Sequence, residues 1–218
     1  MAILEQGLIG TFTGKMGSIV ISKWKNKYVG KSKPKASSKP ATATQLDYRS
    51  KFKLIGKFLR QFRSVISSGY RSSQIGRTNY NEAMSYNLLN SISGIYPDYK
   101  LNYANVKLSE PGFEGDIDGV VDPVLTALPQ RKIKLTWKIN LDPDYAATKN
   151  TDLAYAVFSH AEKQIAVEAK RLTRDKLTMD VGFPGLFRGE VHGWLFFVSA
   201  DRKFVSNTQY LGKVMVID

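Results

Sequence analysis

Lysines interleaved with aromatic rings are the residues of this chain best equipped for chemistry. Lys23-Trp24-Lys25-Asn26-Lys27-Tyr28 sets two rings among three ammonium groups, and Lys15, Lys31, Lys33, Lys35 and Lys39 extend the series. Ammonium groups neutralise phosphates and rings stack on bases, so the run suits nucleic acid. It also suits an arm laid across an acidic face of a neighbouring protein subunit, where Trp and Tyr are common anchors. Arg49, Lys53, Lys57, Arg60 and Arg63 form a second cationic set at helical spacing.

The charge is segregated. Residues 1–77 hold sixteen Lys/Arg against Glu5 and Asp47, a net +14; residues 78–218 hold sixteen against seventeen acids, a net −1. Such asymmetry suggests a basic arm that meets an anionic partner, with nucleic acid, an acidic membrane surface and an acidic protein face as the candidates.

Other chemistries have thinner material. Gly10-Thr11-Phe12-Thr13-Gly14-Lys15-Met16 falls short of a phosphate loop: three residues instead of four separate the glycines, and Met follows the Lys. Asp116-Ile117-Asp118-Gly119, near Glu114 and Asp122, lacks the twelve-residue spacing and closing Glu of a calcium loop. His160 and His192 are the two histidines, with no Cys in the chain, so neither a thiolate zinc site nor a disulfide framework is available. A hydrolase built on His192 would need an acid beside that imidazole. No catalytic set, cofactor or metal is expected.

The elements that must position the cations come next. Ser18–Trp24 is rich in β-branched residues and predicts a strand. Lys25-Asn26-Lys27 predicts a turn and Tyr28-Val29 the return strand. Lys31–Pro40 is Pro/Ser/Lys-rich and extended. Tyr48, Phe52, Ile55, Leu59, Phe62 and Ile66 recur every three or four residues, which predicts one helix over 45–67 with a continuous apolar stripe. A second helix is expected over 80–93, using Met84, Leu88 and Ile92, with the two helices packed over the hairpin. Beyond Tyr96-Pro97 short segments alternate with turns: 105–109, 133–139, 153–159, 164–169, 176–181, 190–199 and 210–217. Seven short strands, with Trp137 early among them, predict an antiparallel β-sandwich of immunoglobulin or fibronectin-III type. The fold class expected is α+β, with a basic hairpin-and-helix module at 1–96 and the sandwich at 97–218.

Several of these residues also resemble a known group. Gly7-x-x-Gly10-x-x-x-Gly14-Lys15-x-Gly17, Trp24, Pro34 and Pro40-x-Thr42-x-x-Gln45 with Arg49 and Phe52 are similar to a bacterial family of uncharacterised proteins. Tyr86-Asn87, the Gly189–Phe196 stretch and Ser206-Asn207-Thr208-x-Tyr210-Leu211-Gly212 extend the likeness over nearly the whole chain. The resemblance implies a two-part architecture and a non-secreted precursor. The family has no assigned activity, so it lends no functional residues. A looser likeness links the basic Gly/Pro arm and the Thr-x-x-Gln helix to phage structural proteins.

Met1-Ala2-Ile3-Leu4-Glu5 lacks a basic stretch followed by a long apolar run, so no secretory leader is read. No run approaches the roughly 20 apolar residues that span a bilayer. The expectation is a non-enzymatic structural subunit of a large assembly such as a virion or phage-like particle. It would be made in the cytoplasm, with the basic arm against other protein subunits. The alternative is a nucleic-acid-binding protein that uses the same module.

Overall fold

A computed structural model describes residues 2–4, 13–24, 27–35, 38–71, 76–112, 117–139, 147–163 and 165–218. The chain divides into two compact units, Met1–Ala43 and Thr44–Asp218. The division falls before the helices, not after Tyr96 as the sequence suggested, and the reason lies in the core of the second unit.

The first unit is a small antiparallel sheet. Strands β1 (Ala2–Leu4), β2 (Gly14–Met16), β3 (Ile19–Trp24) and β4 (Lys27–Ser32) lie in the order β1-β4-β3-β2. The expected hairpin is therefore the centre of four strands. Gly17 turns the chain from β2 to β3 at φ +55°, a conformation open to glycine. Trp24 pairs directly with Lys27, so Lys27 belongs to the strand and not to the turn. Gly14-Lys15 opens β2, which leaves no helix behind it for a phosphate loop.

The second unit has three layers. One sheet joins β7 (Val121–Leu128), β8 (Lys132–Lys138) and β12 (Thr178–Gly182) in the order β12-β8-β7. The other joins β9 (Leu153–His160), β10 (Ala166–Glu168), β11 (Leu172–Thr173), β13 (Gly189–Val198) and β14 (Gln209–Val216). Its order is β10-β9-β13-β14, with β11 also on β9. Every pairing is antiparallel. Ile133, Leu135, Trp137, Met179 and Val181 of the first sheet meet Ala156, Phe158, Val191, Leu195 and Phe197 of the second in one core. This is the predicted immunoglobulin/fibronectin-III-like sandwich.

The second sheet is covered on its other face too. Helices α1 (Ala43–Arg60), α2 (Arg63–Gly69) and α3 (Asn79–Asn90) supply Ile55, Phe58, Leu59, Phe62, Val65, Ile66 and Met84, which pack on Tyr155, Val157, Trp194, Phe196 and Val198. Strands β9 and β13 are thus buried on both faces, which is why Leu153–Phe158 and Trp194–Val198 read as unbroken apolar runs, whereas β8 alternates. The helices complete the sandwich's own core; the expected module of hairpin plus helices over 1–96 is corrected accordingly.

Local differences have local causes. The single helix expected over 45–67 breaks at Gln61-Phe62 into α1 and α2. Ile92 leaves α3 and pairs with Leu101, in strands β5 (Ile92–Ser93) and β6 (Lys100–Leu101). The expected strand at 105–109 is instead a 3-10 turn at Tyr103–Asn105 and an extended stretch to Glu110, which bridges Tyr70. Strand β7 was not expected because Asp122-Pro123 interrupts its pattern; a register shift between Val121 and Val124 absorbs both residues.

Candidate functional site

Strand pairing sorts the N-terminal cations onto two faces. Cross-strand partners point the same way and sequence neighbours point opposite ways. Lys15 pairs with Val20, Val20 with Lys31, and Trp24 with Lys27. Lys15, Lys27, Lys31 and Trp24 therefore share one face, around Val20. Lys23 pairs with Tyr28 on the opposite face, where its Nζ lies 6.0 Å from the ring centroid. The sequence run that seemed one set is two. On this face the three lysines are exposed and Trp24 is 60% exposed, while Val29, between Lys27 and Lys31, is buried. Lys33 and Lys35 follow β4 in exposed, extended chain. Lys25 lies outside the described residues.

In the second unit, Arg49, Lys53, Lys57 and Arg60 are exposed along one side of α1. Their spacing confines them to about a quarter of the helix circumference. Among the described residues none of these four joins an ion pair. Arg63 opens α2, with its guanidinium 5.7 Å from the Tyr80 ring centroid.

Beside this cationic stripe is a surface that the sequence reading missed. The apolar stripe read from Tyr48 to Ile66 is continuous, but in α1 only its C-terminal half is buried. Tyr48 and Phe52 remain 66% and 56% exposed. They wall a groove of about 640 Å³ with Leu88, Leu89, Ile95 and Tyr96. Leu89 and Ile95 stand out as a ridge, 82% and 81% exposed. No signal in the sequence marks this surface, because the stripe's period is the same where it is buried and where it is exposed.

One polar cluster holds the groove's shape. The Tyr99 hydroxyl donates to Asp47 Oδ1, and Lys51 Nζ donates to Asp47 Oδ2 at 3.0 Å, tying the start of α1 to the 92–99 segment. The Tyr99 bond, then Lys51, hold the Asp47 carboxyl below its ordinary range, and the same carboxylate raises the Lys51 ammonium. The Lys51 ammonium also sits 4.9 Å from the Tyr99 ring centroid and 5.5 Å from that of Tyr48.

Both histidines are knitted into the sandwich. His160 Nδ1 accepts from the Glu162 and Lys163 amides at 3.2 and 3.3 Å, so Nε2–H donates to the Arg188 carbonyl at 2.8 Å. His192 stacks on Tyr103 at 3.7 Å between ring centroids, and its Nδ1 lies 2.6 Å from the Tyr210 hydroxyl. Its Nε2 is 3.4 Å from Glu190 Oε1. Burial lowers the His192 pKa, against the pull of Glu190. Burial likewise raises the Tyr103 and Tyr210 hydroxyls.

Of the acidic turn considered for calcium, residues 114 and 116 lie outside the described set. The Asp118 and Gly119 carbonyls receive the buried Arg174 guanidinium, at 2.8 and 3.4 Å. A cation of the protein itself thus occupies the turn. Arg174 also lies 3.7 Å from the Phe197 ring centroid and 3.6 Å from Asp152. Among the described residues no three His, Cys, Asp or Glu side chains are grouped to hold a metal.

No curated protein matches the chain significantly. Among solved structures, the fn3 domain of the human collagen alpha-1(XX) chain is similar to 47% of this chain and 87% of its own length, at 8% identity and a TM-score of 0.36. A family pattern matches residues 11–212, nearly the whole chain. The protein therefore belongs to DUF6266, a family of unknown function.

Proposed function

We propose that this protein is a non-enzymatic subunit of a larger assembly, and that it contacts a second copy of itself through the groove between α1 and α3. The observation that carries the reading is the exposed apolar set Tyr48, Phe52, Leu89, Ile95 and Tyr96 gathered on one surface. Contiguous apolar patches of this kind mark protein–protein contacts. A second copy is taken as the occupant because closed two-fold pairs of like subunits are the commonest oligomers. Exposed Leu89 and Ile95 share one groove with Tyr48 and Phe52, so a two-fold pairing would set each copy's exposed side chains against the other's groove. A virion or phage-like particle, the setting suggested by the sequence, is part of this proposal. The neighbour contact is assigned to the groove and not to the lysine arm, because protein interfaces favour aromatic residues and are depleted in lysine. No helix among the described residues is long and apolar enough to cross a membrane.

Size-exclusion chromatography with light scattering tests the proposal. The 24.4 kDa chain is expected to run as a dimer or larger species that persists at high salt, since burial of apolar surface is not screened. Leu89→Asp and Ile95→Asp, both at exposed positions, should each return it to a monomer with unchanged circular dichroism. A wild-type monomer at high concentration would overturn the reading.

A further inference from the structure

We propose that the sheet face bearing Lys15, Trp24, Lys27 and Lys31 binds single-stranded nucleic acid. Lys15 and Lys31 flank Val20 across three adjacent strands, about 10 Å apart at the backbone, and Lys27 lies about 13 Å along β4 from Lys31. Three long, exposed ammonium stems thus surround a shallow sheet surface, with an exposed indole at one end, directly opposite Lys27. That is the arrangement of a phosphate-tracking surface with a stacking platform. A base reaches the indole only if it is unpaired, which selects single strands over duplex.

The composition separates nucleic acid from an acidic protein partner. All eight cations from Lys15 to Lys39 are lysine; the first arginine is Arg49. Lysine meets phosphate as a point charge, with no demand for a fixed bidentate geometry, whereas arginine is the enriched cation of protein interfaces. A second copy of this chain is a poor anionic partner. The whole molecule carries +13, and acids of its second unit are engaged by cations of the same unit. Asp122 pairs with Lys138, Glu168 with Arg171, Glu190 with Lys213 and Asp218 with Arg188. Binding at this face and self-association through the groove are read by different measurements.

The test uses the full chain and a fluorescein-labelled dT20 oligonucleotide, followed by anisotropy between 50 and 200 mM salt. Three phosphates neutralised on a single strand give a log–log salt slope of about −2, an affinity loss of about 20-fold over that range. Lys31→Ser should lower the slope by about 0.7, while Lys23→Ser, on the opposite face, should leave it unchanged. Trp24→Ala should weaken binding about tenfold and Trp24→Phe much less. Trp137 and Trp194 are buried, so quenching of tryptophan fluorescence on binding should vanish in Trp24→Phe. Equal losses from Lys23→Ser and Lys31→Ser would overturn the assignment to this face. Competition by polyglutamate as effective as that by unlabelled dT20 would make the partner an acidic protein. Equal affinity for a duplex of the same length would remove the stacking role of Trp24. Absence of dT20 binding at 50 mM salt would reject the proposal outright.

Discussion

Phe58 and Trp194 meet edge to face, ring centroids 5.9 Å apart, where helix α1 crosses strand β13. Phe62 approaches the same indole at 6.0 Å, and the indole N–H donates to the Tyr103 carbonyl at 3.2 Å. The helices are therefore a layer of the sandwich unit. Phe58→Ala should cost about 3–5 kcal/mol, read as a lower urea midpoint with circular dichroism retained in native buffer. Residues 97–218 expressed alone would bare Tyr155, Val157, Trp194, Phe196 and Val198, and should aggregate or bind a hydrophobic dye. A well-behaved, cooperatively unfolding 97–218 fragment would contradict the three-layer account.

Asn87 is buried, with partners for its whole amide. Its Nδ2 donates to the Ala83 and Lys107 carbonyls at 2.8 and 2.9 Å, and its Oδ1 accepts from Ser91 Oγ and the Lys107 amide at 2.8 and 3.1 Å. It pins α3 to the stretch that enters the sandwich. Asn87→Ala leaves several of these groups without partners and should cost about 2–3 kcal/mol, well above the loss expected from Asn90→Ala on the exposed side. Parallel urea titrations of the two variants make the comparison.

His192 gives the stability a dependence on pH. Burial holds its folded pKa below the ordinary value of about 6.5. As pH falls through that value, the unfolded chain takes up a proton that the folded chain refuses. The stabilisation is thus complete above about pH 6.5 and declines below it, by at most about 1.4 kcal/mol per pH unit for one proton. Glu190, held low chiefly by Lys213, adds a second loss once the pH reaches the carboxylate range. His192→Gln should flatten the dependence of the urea midpoint between pH 7 and 5.5; an unchanged slope would remove His192 from the account.

The Asp47–Tyr99 bond predicts where the groove loosens first. Tyr99→Phe frees the 92–99 segment from α1 without altering the core beneath. Amide hydrogen exchange should accelerate over 92–99 and the first turn of α1, with β9 and β13 unchanged. Exchange that accelerates throughout the second unit would show that the bond supports the core instead.

Much of this protein was legible as sequence, because local rules suffice for it. The 3.6-residue recurrence from Tyr48 to Ile66 marked the helices. The turn-bounded segments beyond Tyr96 marked most sandwich strands, and the count of charges placed the basicity in the first third of the chain. Tertiary structure decided what those elements do. An apolar stripe does not say how much of it is covered; Ile55 and Leu59 share a core with residues of β9 and β13, whereas Tyr48 and Phe52 of the same stripe stay exposed and wall the groove. Nor does it say which body a helix completes, so the boundary moved from Tyr96 to Ala43. Lys23 and Trp24 are neighbours in sequence but lie on opposite faces of β3. The register that gave Lys27 to Trp24 and Tyr28 to Lys23 is set by the pairing of β3 with β4, which no single segment carries. Periodicity belongs to one segment, whereas register and burial belong to pairs of segments distant in sequence, and only the folded chain fixes them.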